Sequence, residues 1–118
     1  MKTNKLLKII LIISIFVIIV ITCIKAYISY YITNDMHSTK STMDNAPFSC
    51  SNESSIKIET WGPYGYARYC MRGNFKHGKW EAWEKQKLVI TGQYSNGMHS
   101  GTWTWFNKDG TIDRVQNY

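Results

Sequence analysis

The side chains that could do chemistry are few and widely spaced. Cys50 and Cys70 are the two cysteines that follow an apolar N-terminal segment. In an oxidising compartment they could pair, closing a loop of about 20 residues and adding roughly 3 kcal/mol. His77 and His99 lie close to turn glycines. A zinc site needs three or four converging ligands, and two histidines and two cysteines spread over four turns do not offer that set, so no metal or cofactor is expected. Cys70 and His77 could be drawn as nucleophile and base, but a disulfide role for Cys70 is simpler. Glu81 and Glu84 fall on opposite faces of one strand, which argues against a working carboxylate pair. The glycines are spaced for turns, and no Gly-Lys-Ser/Thr follows a strand to hold phosphate. These residues imply no enzyme.

The elements that carry them begin with a membrane segment. Residues 6–26 read LLKIILIISIFVIIVITCIKA. As a helix these 21 residues span about 31 Å, the thickness of a hydrocarbon core. Lys8 and Lys25 can snorkel near its ends. Lys2, Lys5 and Lys8 precede the span and Lys25 alone follows closely. The positive-inside rule then puts the N-terminus in the cytoplasm and the remainder outside the cytoplasmic membrane. Tyr27, Tyr30 and Tyr31 fit an interfacial belt. An uncleaved signal anchor is the preferred reading. The alternatives are a cleaved signal, for which residues 24–26 are a poor site, and lipidation at Cys23, for which Thr22 is an unusual predecessor.

The net charge of +6 sits mostly at this end. Residues 1–34 hold four lysines and no acid, while the rest has ten Lys/Arg against eight Asp/Glu, a surplus of two. No basic run remains, so a nucleic-acid partner is not expected.

Three domains are expected: a cytoplasmic tail and anchor over 1–33, a polar linker over 34–55 and a β domain over 56–118. The Ser/Thr/Asn-rich linker suggests a mostly disordered stalk, and no segment after residue 34 shows helical periodicity over three turns. From residue 56 strand candidates alternate with turns at 62–65, 95–97 and 107–110. The fold class expected is all-β, an antiparallel hairpin meander preceded by one transmembrane helix.

Within that domain a pattern occurs twice. Gly78-Lys79-Trp80-Glu81-Ala82-Trp83 is followed 23 residues later by Gly101-Thr102-Trp103-Thr104-Trp105-Phe106. Such a period marks a repeated supersecondary unit that buries its apolar face by stacking on its neighbour. The second copy runs from Tyr94 through Asn96-Gly97 and Gly101 to Asp109-Gly110. The first has an extra residue between its glycines and Lys85-Gln86-Lys87 where a glycine turn belongs.

This pattern resembles MORN-type repeats, and more closely the MORN-like repeats of bacterial YwqK-family antitoxins, over residues 61–118. The resemblance implies an extended β-hairpin array whose role is to bind a protein partner, with a specific toxin, or a glycan or lipid surface, as alternatives. Trp80, Trp103, Trp83 and Phe106 repeat in phase and are most simply core. Trp105 stands where the first copy has Ala82, so it is the better candidate for an exposed contact. Trp105, Trp83, Phe106, Trp103 and Trp80 together form the candidate binding set.

Overall fold

A computed structural model describes residues 2–118, apart from the side chain of Lys2. The chain falls into two compact units, residues 1–33 and 34–118. The first is the apolar part of helix α1 (Lys2–Asn45), and its isoleucines up to Ile28, its leucines and Phe16 are exposed on all sides. This helix is long and apolar enough to cross a membrane.

The second unit is a six-stranded antiparallel sheet with the end of α1 and an irregular segment, residues 46–54, packed on it. The strands are β1 (Ser55–Trp61), β2 (Gly65–Arg72), β3 (Phe75–Glu84), β4 (Lys87–Ser95), β5 (Met98–Phe106) and β6 (Ile112–Asn117). They neighbour one another in chain order, so the sheet is a plain meander. Asn96 and Gly97 both have positive φ, +49° and +83°, the backbone that a tight β4–β5 hairpin requires.

The class expected from sequence needs correcting, because the chain is not all-β. Among the described residues helix takes 44, and it runs 12 residues past position 33. Residues 34–45 are therefore helical rather than a disordered stalk. The reason is tertiary. Thr39 and Met43, one turn apart, are fully buried, the Arg68 side chain donates to the Met43 carbonyl at the helix end, and the Gln86 backbone N–H donates to Thr39 Oγ1. Local propensity, weak in a Ser/Thr/Asn-rich stretch, is overridden by packing.

The core occupies one face of the sheet. Ala67, Tyr69, Trp80, Ala82 and Trp103 are buried together, with Trp61, Met71, Val89, Ile90, Tyr94 and Trp105 packed against them. Trp80 and Trp103 have ring centroids 5.4 Å apart. Gly92 pairs with Trp80 in the β3–β4 ladder, and a Cβ there would lie 2.2 Å from the Trp103 ring. Only glycine lets the second indole lie flat on the backbone. The register irregularity at Ala82/Trp83 recurs 23 residues later at Trp105/Phe106, so the period seen in the sequence is also a period in backbone geometry.

Candidate functional site

Alternation along β2 and β3 sends Arg68 and Glu81 to the face opposite the aromatic core. They are directly opposed in the ladder and buried, each 4 % exposed. Arg68 Nε donates to Glu81 Oε2 at 3.0 Å. Its Nη1 donates to the carbonyl oxygens of Met43 at 2.6 Å and Ala46 at 3.0 Å, and its Nη2 to that of Pro47 at 3.4 Å. A guanidinium thus caps the last turn of α1, where unpaired carbonyls and the helix dipole both favour a cation. Phe48 lies over the same guanidinium, 4.5 Å from ring centroid to Cζ.

Glu81 also accepts from Trp83 Nε1 at 3.1 Å and pairs with Lys79 Nζ at 2.7 Å. Burial pushes its carboxyl up. Hydrogen bonds from Lys79, Trp83 and Arg68 outweigh that and hold it below the ordinary carboxylate value. The carboxylate is charged and saturated with donors, which suits a structural hub and not a general acid or base. Two residues beyond Arg68 on the same strand, Cys70 forms a disulfide with Cys50, Cα atoms 5.6 Å apart. That bond fits an oxidising compartment.

The concave site lies on the core face, at the end of the sheet that carries the β1–β2, β3–β4 and β5–β6 turns. A cleft of about 480 Å³ is bordered by Trp61, Val89, Ile90, Trp105 and Phe106. Lys85, Lys87, Lys108, Glu84 and Asp113 stand around it. Lys87 Nζ donates to the carbonyl of Lys108, tying the β3–β4 and β5–β6 ends together. The guanidinium of Arg114 sits 3.9 Å from the centroid of a Trp105 ring. One face of that indole is therefore already covered by a cation.

The candidate residues separate by burial. Trp80 at 7 % and Trp103 at 4 % exposure are core and cannot be contacts in the folded sheet. Trp105, Trp83 and Phe106 are half-buried. Trp105 and Phe106 border the cleft. Trp83 lies in a shallower groove of about 410 Å³ with Gln86, Leu88 and Phe106. Trp61 belongs to the cleft too, brought there by β1, outside the two copies of the pattern; its aromatic character was the one signal in the sequence. Neither Arg68 nor Gly92 stood out, since a partner on another strand or on the helix, 11 or more residues away, decides the role of each.

His77 Nδ1 accepts from the Asn96 backbone N–H, and His99 is hydrogen-bonded to Tyr94 and stacked on Tyr118. Both histidines therefore bind turns and neighbouring strands together. Among the described residues no three His, Cys, Asp or Glu side chains converge on a common point. No protein-family model, curated protein or solved structure matches this chain.

Proposed function

We propose that this protein is a membrane-anchored, non-catalytic binding module that engages a protein partner through the cleft around Trp105. In this reading the N-terminus is cytoplasmic, α1 crosses the inner membrane and the MORN-like hairpin sheet works outside the cytoplasm. The observation that carries the reading is the cleft itself. It gathers two tryptophans, a phenylalanine and two aliphatic residues in one concavity, with Lys85, Lys87 and Lys108 and the acids Glu84 and Asp113 around it. A concave apolar surface with few polar groups favours an inserted side chain, and central aromatic residues dominate binding energy at such contacts.

The partner that fits presents an apolar side chain flanked by a carboxylate, which would meet Lys85 or Lys108. The lysine surplus in the anchor flank and the disulfide support the proposed orientation. Protease shaving with and without permeabilisation tests that orientation. Digestion of residues 34–118 from the cytoplasmic side would overturn it. Site-specific photocrosslinking from Phe106 tests the binding surface.

A further inference from the structure

Residues 34–50 bury few apolar side chains against the sheet. Met43 is the fully buried one, with Thr39 beside it, while Met36, Ala46 and Phe48 are partly exposed. Its first part is tied to the β3–β4 turn, where Gln86 binds Thr39 and Asp35, and residues 43–50 are held at two neighbouring points on β2. Arg68 binds the carbonyls of Met43, Ala46 and Pro47, and Cys70 is bonded covalently to Cys50. Segments held by few apolar contacts open at lower free energy than the core they cover. The core of this sheet is on the opposite face, in Ala67, Tyr69, Trp80, Ala82 and Trp103, and none of it lies under the strap.

We propose that Arg68 and Cys70 form a two-point latch on residues 43–50, with the disulfide as its redox-sensitive point. Reduction releases the strap and admits water to the Arg68–Glu81 pair, while the sheet stays folded. The reductant is a dithiol. Its thiolate attacks the sulfur of Cys50, which is half-buried, whereas Cys70 is buried. The S–S bond breaks, Cys70 leaves as a thiolate and takes up a proton. The second thiol of the reductant then displaces Cys50 from the mixed disulfide. Two electrons and two protons pass to the protein, and the reductant becomes a disulfide. With its covalent point gone, the strap is held by the Arg68 hydrogen bonds, and the helix end exchanges between capped and free states.

The test is amide hydrogen exchange on the full chain in detergent micelles, oxidised and after dithiothreitol, with complete reduction verified by alkylation and mass. Exchange within residues 41–50 should accelerate tenfold or more, while β3–β5 change less than twofold. Unchanged exchange in 41–50 would overturn the latch. So would equal acceleration across β3–β5, since the disulfide would then hold the whole sheet. The Cys50→Ser/Cys70→Ser variant supplies an independent reading. It should exchange like the reduced wild type and ignore dithiothreitol. Wild-type oxidised protection in that variant would contradict the proposal.

Discussion

Arg68 on β2 and Glu81 on β3 face each other across the ladder, Nη2 and Oε2 2.9 Å apart, with 5 % of each side chain exposed. Around this pair the end of α1, Trp83 and Lys79 are assembled. A buried ion pair adds little by itself, because desolvation offsets most of the attraction. Losing one partner is another matter. Arg68→Met should destabilise the sheet unit by about 3 kcal/mol, because three carbonyls lose their donor and the buried Glu81 is left to Lys79 and Trp83 alone. Arg68→Met/Glu81→Leu should recover part of that loss. Denaturant unfolding of the full chain in micelles, followed by tryptophan fluorescence, measures both.

The acid limb of stability should carry the signature of Glu81. Its folded value is lowered, so the stabilisation is fully present above the unfolded value, near 4.5, and is lost as pH falls through the folded one. Unfolding midpoints should stay level for this group above about pH 5 and drop below it. Glu81→Gln should be less stable at neutral pH and show a shallower acid decline. An unaltered decline would place the acid sensitivity elsewhere.

Gly92→Ala should be disruptive out of proportion to one methyl. The added Cβ meets Trp103 ring atoms at 2.2–2.6 Å and must displace the indole from Trp80. A cost of about 1–3 kcal/mol is expected from overpacking, with a changed near-ultraviolet dichroism of the tryptophans.

The β3–β4 turn offers a stabilising change. Lys85 and Gln86 hold positive φ, +49° and +62°, without being glycine. The Gln86 backbone N–H donates to Thr39 Oγ1 at 3.0 Å, and its side chain to Asp35 Oδ1 at 3.2 Å. Lys85→Gly should relieve strain and raise stability by up to about 1 kcal/mol, read as a higher thermal midpoint. Thr39→Val should remove an acceptor from the Gln86 N–H and lower it by about 1 kcal/mol.

Legibility followed the range of the interaction. The Asn96-Gly97 turn, the alternation of Trp80 and Ala82 and the apolar run before Ala26 are local signals, and each corresponds to an element of the structure. The Cys50–Cys70 pairing was legible by elimination, since Cys23 lies in the apolar helix. The helical state of residues 34–45 was not legible, because a cation on β2 and a turn beyond β3 stabilise it. Lys85-Gln86 looked unsuited to a tight turn, yet its backbone is left-handed like that of Asn96-Gly97, with contacts from α1 in place of glycine. The cleft joins Trp61 of β1 to Trp105 of β5, strands with three others between them in the sheet, so no spacing rule could connect them.

In the proposed function the cleft beside Trp105 is where this protein meets its partner. A photoreactive amino acid at Phe106, compared with one at Phe75 in the β2–β3 hairpin at the other end of the sheet, tests it in native membranes. A discrete crosslinked protein is expected from position 106 and none from position 75. At least tenfold less product is expected when Trp105→Ala is added to a chain that still folds. Equal products from both positions, or a product from 106 indifferent to Trp105→Ala, would contradict that reading.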